Sequence, residues 1–327
     1  MGLTVDDMQS LWIVIAIAFG LSFVGYYILR IRNVLSGWIL FFLTTFLAER
    51  ISFGVHPVIR MLDIILVMFL GMKIITTIEA QKQREFQLTL FQWLVFCFGW
   101  AGMRADIFQT LGQKPQSGKE DMIWFGISRL IQGLFFVFLA RWIYTLAWDQ
   151  EIQIVLITIL LLIGFSLILH FGLLSISAGV LKFFGVKTYY LFNSPAKSSG
   201  LDVFWGRRWN KAFSEMTSVA VYRPLKGMIG NNAALILSFL FSGLLHEMAI
   251  SLPVNQGFGL PLLYFAIQGM AIWLELNFPK WGITLFNDGV AKRIWMWFWI
   301  IVPMPILFHV YFIEGIIWPL AGLFFPL

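Results

Sequence analysis

The chain has 327 residues, of which 59% are hydrophobic and 12% charged, with a mean hydropathy of +0.82. A soluble domain carries roughly 25% charged residues, so this composition excludes a soluble globular protein and implies an integral, multi-pass membrane protein. The net charge of +6 does not imply nucleic-acid binding, because Lys and Arg cluster in short loops between apolar runs and no basic, groove-reading motif is present.

In chain order, acidic Asp6 and Asp7 precede the first apolar run, which does not fit the basic, short-core pattern of a cleaved signal peptide. Asp6 also occupies the position where a myristoylation motif starting at Gly2 needs Ser or Thr. Charge-poor runs follow at 11–29, 34–48, 58–78, 88–102, 122–148, 152–181, 233–250, 259–274 and 294–313. Crossing a hydrocarbon core of about 30 Å takes about 20 apolar residues, and backbone polar groups at that depth must be satisfied internally. The runs are too long for barrel strands and lack two-residue alternation, so the expected fold is all-α. It is a polytopic transmembrane bundle of roughly eight or nine spans within a single domain covering 1–327. The runs 34–48 and 88–102 are short and are the candidates for re-entrant or interfacial segments. The single cysteine, Cys97, lies in an apolar run and is expected to pack there. Neither a disulfide nor a metal is expected.

The stretch 184–232 is unlike the rest. It holds the densest Lys/Arg group, which places it on the cytoplasmic side. A loop containing Pro195, Lys197, Ser198, Ser199 and Gly200 leads into LDVFWGRRWN. Ser199 with Asp202 three residues on resembles a capping box, so a helix is expected to start there. On it, Trp205 and Trp209 share one face beside Arg208 and Lys211, as in an amphipathic helix of the headgroup region. An apolar stripe through Phe213, Met216 and Ala220 is expected to continue until Pro224 stops the helix.

Of four histidines, His246 stands out. It lies in SFLFSGLLHE, late in an apolar run, with Ser242 and Ser238 on the same face. An ionisable group at membrane depth is costly enough to suggest a function. Its structural alternative is an interfacial histidine bonded to a nearby carbonyl, with Glu247 marking the end of the span. His170, His309 and His56 read as structural or supporting residues. Arg207 and Arg208 on their own would read as anchors to anionic headgroups.

The segment FWGRRWN, preceded by FNSPAKSSGLDV and followed by SGLLHE, resembles the wax synthase branch of the membrane-bound O-acyltransferase family. The likeness spans about 170–247, including HFG at 170–172 and FFGV at 183–186, and weakens over the N-terminal half. It implies that Asn210 and His246 form the active site, that acyl-CoA is the co-substrate without a further cofactor, and that the acceptor is a lipophilic alcohol. The implied activity is wax-ester synthesis in a bacterial cytoplasmic or endoplasmic reticulum membrane, with membrane lipids as the other partners. The chemistry agrees. An alcohol needs a base near pH 7, which His supplies, and acyl transfer builds an oxyanion to which an amide such as Asn210 can donate. Trp205, Arg207, Arg208, Trp209, Ser242 and Lys197 are the expected substrate-binding residues, with Lys211 and Arg223 as further cations for the phosphates. Two alternatives remain open. One is acylation or acetylation of a sterol or terpenoid. The other is a proton-coupled transporter using His246, Glu247, Glu275 and Asp63 as a relay.

Overall fold

The computed structural model describes residues 4–283 and 289–324, and all regular structure among them is helical. Seven helices are long and apolar enough to cross a membrane: Val5–Ile31, Val34–Ile51, Lys119–Tyr144, Gln150–Phe183, Asn231–Val254, Leu260–Trp281 and Gly289–Leu307. The short run at 34–48 thus extends into a helix of 18 residues. That at 88–102 yields only Leu90–Gly99, ten residues. With about 1.5 Å of rise per residue, this helix covers about half of a hydrocarbon core. The run expected at 294–313 is broken. Its continuous helix ends at Ile301 and a short turn, Met304–Leu307, follows. Pro303 and Pro305 each lack the backbone N–H that would extend the helix.

Local chemistry fixes the helix starts. Thr4 and Asp7 form a reciprocal capping box that opens Val5–Ile31, and the Asn33 side chain accepts from the Ser36 N–H to open Val34–Ile51. His56 caps the helix Pro57–Gln83 through Nδ1, which accepts from the Val58 N–H at 3.2 Å. Pro57 sits at the first turn, where no N–H is needed.

The described residues fall into two compact bodies, drawn respectively from 1–86, 102–104 and 193–309, and from 87–101, 105–192 and 310–327. At the centre of the first lies Pro57–Gln83, which packs against Val5–Ile31, Val34–Ile51 and Asn231–Val254. Most of its residues are buried, including Arg60, Asp63 and Lys73. Arg60 pairs with Glu49 at 2.9 Å and Asp63 accepts from the Ser10 hydroxyl at 2.9 Å. Asn231–Val254 packs in turn on Leu260–Asn277 through glycines. A Cβ added at Gly243 would lie 2.9 Å from Leu262, and one at Gly269 2.9 Å from Phe239. Small residues let helices approach closely where lipid offers no hydrophobic driving force. These two glycines set the spacing of the helix pair that carries the site described below.

In the second body, Lys119–Tyr144 packs on the rod formed by Gln150–Ser166, Leu167–Leu173 and Leu174–Phe183. The contact is again made by small residues. A Cβ at Gly126 would fall 2.7 Å from the Gly172 carbonyl, and one at Gly133 2.6 Å from that of Gly164. Leu167–Leu173 is a widened, π-type turn in which His170 Nδ1 lies 3.2 Å from the Ser166 hydroxyl and its ring packs on Phe192. Cys97 is buried in this body, as expected of a packing residue.

Candidate active site

The stretch expected to form one amphipathic helix is a chain of short, differently wound turns. Leu201–Val203 is α-helical, Phe204–Arg208 is a π-turn closed by the Trp209 N–H on the Phe204 carbonyl at 2.8 Å, and Trp209 is extended. The expected Ser199–Asp202 capping box is absent. Gly200 is the N-cap and makes no side-chain cap. Glu275 caps instead, from another helix. Its Oε2 accepts from the Leu201 N–H at 3.0 Å and its Oε1 from the Asp202 N–H at 3.5 Å. Local sequence could not supply that cap, because a carboxylate 74 residues away outcompetes the serine hydroxyl.

Trp205 and Trp209 also do not share one exposed face. Trp205 points into the first body, where its Nε1–H donates to Gln268 Oε1 at 3.0 Å and its ring packs on Phe239 and Phe265. Gln268 donates onward to the Trp299 carbonyl. Trp209, beyond the turn, stacks on Phe204 with 5.5 Å between centroids. A headgroup-facing role fits neither ring as placed.

Asn210 adopts the left-handed conformation, with φ 43° and ψ 67°, and opens the helix Lys211–Thr217. Asn tolerates that region better than most residues, since its short polar side chain bonds locally. Its Oδ1 accepts from the Phe213 N–H at 3.3 Å, so the amide oxygen is engaged and the NH₂ points away from the cap. Pro224 does not end this helix. A π-turn over Ser218–Tyr222 intervenes and the winding continues through Arg223–Ile229. The wider turn bonds the Arg223 N–H to the Ser218 carbonyl, which shifts the pairing ahead of the proline's missing donor.

His246 lies within Asn231–Val254 between two aromatic rings, Phe213 at 5.0 Å and Phe265 at 4.2 Å between centroids. Its Nδ1 is 2.7 Å from the Ser242 carbonyl oxygen. A carbonyl can only accept, so Nδ1 carries the hydrogen, and in the neutral ring Nε2 holds the lone pair. Ser242, expected on the His246 face as a substrate-binding residue, contributes its backbone carbonyl to the imidazole. The Ser238 hydroxyl is turned onto its own helix, donating to the Ala234 carbonyl at 2.7 Å. Asn210 and His246 are connected through Phe213, whose N–H binds the amide of one while its ring covers the imidazole of the other.

The two neighbouring arginines separate. Arg208 donates to the carbonyls of Asn193 at 3.1 Å and Ser194 at 3.4 Å, and its own carbonyl accepts from the Asn193 N–H at 2.8 Å. It clamps the preceding loop. Arg207 is exposed, as is Lys197 on the Pro195–Lys197 turn. Arg223 donates to Gln83 Oε1 at 2.7 Å. Beside the clamp, Lys292 Nζ lies 3.4 Å from Asp202 and 3.2 Å from Glu275. Burial alone would raise the Asp202 carboxyl, but hydrogen bonding with Glu275 and the Lys292 charge outweigh it and hold the group below the ordinary aspartate range.

The residues of the conceivable relay have separate partners. Glu247 accepts from the Gly259 N–H at 2.8 Å and the Leu262 N–H at 3.3 Å, capping the next helix, while Asp63 binds Ser10 and Glu275 binds Leu201. His309 contacts the Ser251 hydroxyl at 3.2 Å and His56 caps a helix, so both have structural partners. Phe265 and Gln268 line the site without having been singled out in the sequence, and Phe213, read there only as part of an apolar stripe, packs against the imidazole. Phe265 sits on an apolar stripe indistinguishable from core, whereas Gln268, a polar amide within an apolar run, carries a signal that the sequence does offer.

Fold and site together define a multi-span membrane protein with an imidazole flanked by two aromatic rings, one of them on the residue whose N–H binds a left-handed asparagine. Residues 189–267, which include both, match the family model described as the Membrane bound O-acyl transferase family. Over 72 residues the chain is 32% identical to a long-chain-alcohol O-fatty-acyltransferase of Simmondsia chinensis, covering 20% of each chain. Over 101 residues it is 30% identical to a probable long-chain-alcohol O-fatty-acyltransferase 6 of Arabidopsis thaliana, covering 29% of this chain and 23% of that one. A diacylglycerol O-acyltransferase 1 of Dictyostelium discoideum is 27% identical over 153 residues, 46% of this chain and 23% of the relative. The matches thus span about a fifth to a quarter of these relatives' lengths. The resemblance to the wax synthase branch is borne out over this stretch.

Proposed function

We propose that the protein is a membrane-embedded O-acyltransferase that moves a fatty acyl group from acyl-CoA to the hydroxyl of a lipophilic alcohol, forming a wax-type ester. The observation that carries this reading is the His246 ring, fixed through Nδ1–H to the Ser242 carbonyl so that Nε2 is left as the acceptor. In the proposed step Nε2 accepts the hydroxyl proton while the alcohol oxygen attacks the thioester carbonyl carbon. The tetrahedral intermediate collapses with C–S cleavage, and the departing thiolate takes the proton back from the imidazolium, giving ester and CoA. Asn210, its Oδ1 held by the Phe213 N–H, has its NH₂ available to donate to the developing oxyanion. Arg207 and Lys197, both exposed, are the proposed contacts for the CoA phosphates. Arg208, Trp205 and Trp209 support the site through their intramolecular partners.

The donor and acceptor are tested together by incubating the purified protein with a long-chain acyl-CoA and a mixture of long-chain primary alcohols, diacylglycerol and sterol. Mass spectrometry of the lipids and release of free thiol are then followed. Wax esters with stoichiometric CoA release support the reading. Diacylglycerol or sterol esters would reassign the acceptor, as relatives named for diacylglycerol make worth testing. Absence of thiol release with every acceptor would sink acyl transfer and favour the transporter alternative.

A further inference from the structure

The Leu201–Asn210 stretch has few means of holding itself. Its helical part is three residues long, its next turn is π-wound, and its N-cap is a glycine without a side chain. Isolated turns of this length are unstable, since nucleation fixes several dihedrals for one hydrogen bond. Something outside the stretch must hold it. The contacts identify a carboxylate on Leu260–Asn277 and an ammonium on Gly289–Ile301.

We propose that Glu275 and Lys292 form a latch that sets the register of the FWGRRWN turn, and hence of Asn210, with Glu275 acting as a positioning residue for the acyl-transfer site. This rests on the reading of Asn210 as a transition-state donor. Glu275 has a fully enclosed side chain, and both oxygens face the first two backbone N–H groups of the turn. Two acceptor oxygens at this end of the turn bind N–H donors that have no partner within it. Lys292 then bridges Glu275 to the Asp202 side chain, so the turn is held by backbone and side chain at once. Gly200 belongs to the device. A Cβ there would overlap Lys292 Cε and lie 2.6 Å from Glu275 Oε1, so any larger residue displaces the ends of both side chains. Beyond the latch, Phe204 and Leu201 are buried with Ala271, Ile272, Met296 and Ile300, residues of the same two helices that supply the ion pair. The polar latch selects the register in which this apolar packing closes.

The variants Glu275→Gln, Lys292→Gln and Gly200→Ala approach the latch by three different chemical routes. Each is expected to raise amide hydrogen exchange across 201–216 while leaving exchange in Pro57–Gln83 unchanged. With acyl-CoA and a long-chain alcohol, kcat should fall roughly 10- to 100-fold, the scale of an ångström-sized misplacement, with KM for acyl-CoA near wild type. Glu275→Gln keeps one acceptor and should lose less than Glu275→Ala. Should Glu275→Gln fail to fold, Lys292→Gln and Gly200→Ala still decide. The exchange measurement needs no assumption about activity, so a wild-type protein without acyltransferase turnover would defeat the proposed function while the latch is judged separately. Unchanged exchange at 201–216 in all variants that fold would overturn the latch. Loosened exchange with unaltered kcat would overturn the positioning role.

Discussion

The helix Asn231–Val254 and the stretch from Leu201 to Ile229 meet at the same site but are built on opposite terms. The first is a regular span whose backbone is satisfied within the helix, and His246 is oriented by the carbonyl of Ser242, one turn earlier in the same segment. The second changes winding repeatedly, from α to π to extended to α and back to π, and depends on distant groups. Glu275 caps it, Gln268 holds Trp205 and Arg208 ties it to the Asn193–Ser194 loop. A base on a regular helix needs only its own turn. A donor in a left-handed residue between turns needs an external frame, and that difference predicts which substitutions act on chemistry alone and which act through structure.

The largest effect should come from the regular helix. His246→Ala, and also His246→Gln, is expected to lower turnover by roughly 10² to 10⁴, the contribution of a general base, without changing the melting temperature of the purified protein. Near wild-type turnover in either variant with the same lipid product would remove His246 from its role. Next comes Asn210. Its replacement by Ala should reduce kcat by roughly 10² to 10³, as for loss of an oxyanion donor, with a smaller change in KM for acyl-CoA. Asn210→Asp retains the cap acceptor but lacks the NH₂, so it should fold like wild type and be as slow as Asn210→Ala. If Asn210→Asp is active and Asn210→Ala is not, the residue matters only as a cap.

The arginines sharpen the comparison within the irregular stretch. Arg207→Ala should raise KM for acyl-CoA about 10-fold or somewhat more, as expected for one charged hydrogen bond to phosphate, and leave kcat and thermal stability alone. Arg208→Ala should lower the melting temperature and kcat together, because it removes the clamp on the Asn193 and Ser194 carbonyls. Steady-state kinetics with varied acyl-CoA, beside thermal melts, separate the two. Identical behaviour would mean that neither residue is a dedicated phosphate contact.

The same contrast explains what could be read from the sequence. The helical class, most helix positions and the prominence of His246 follow from hydropathy runs and from the cost of an ionisable group among them. Such signals are local. The structure departs from expectation where a remote group decides. Ser199 loses the capping role to Glu275, Pro224 is absorbed by a π-turn, and Trp205 turns inward to Gln268. Glu275 itself looked like a relay residue because a buried carboxylate has the same sequence signature whether it moves protons or caps a turn. Phe265 was hidden for the opposite reason, since an aromatic on an apolar stripe looks like packing even when it faces an imidazole at 4.2 Å.

The smallest expected effect per step concerns the acceptor, and it tests the apolar side of the site. The imidazole is flanked by Phe213 and Phe265, and Trp205 and Phe239 extend the aromatic surface beyond Phe265. A polyol held against these rings would lose hydration without replacing its hydrogen bonds, whereas a long-chain alcohol exposes only one hydroxyl, at the end that must reach Nε2. Each methylene buried along such a wall contributes up to about 0.8 kcal/mol, close to a fourfold change in kcat/KM. In competition between primary alcohols of increasing length, preference should therefore climb by up to that factor per methylene and level off where the chain outgrows the enclosed surface. Phe265→Ala shortens the wall next to the base, so it should move the plateau while retaining the His246-dependent step. A flat profile, or a preference for short water-soluble alcohols, would show that the acceptor does not lie along the aromatic wall, and the base would then have to be approached from the side of the irregular turn.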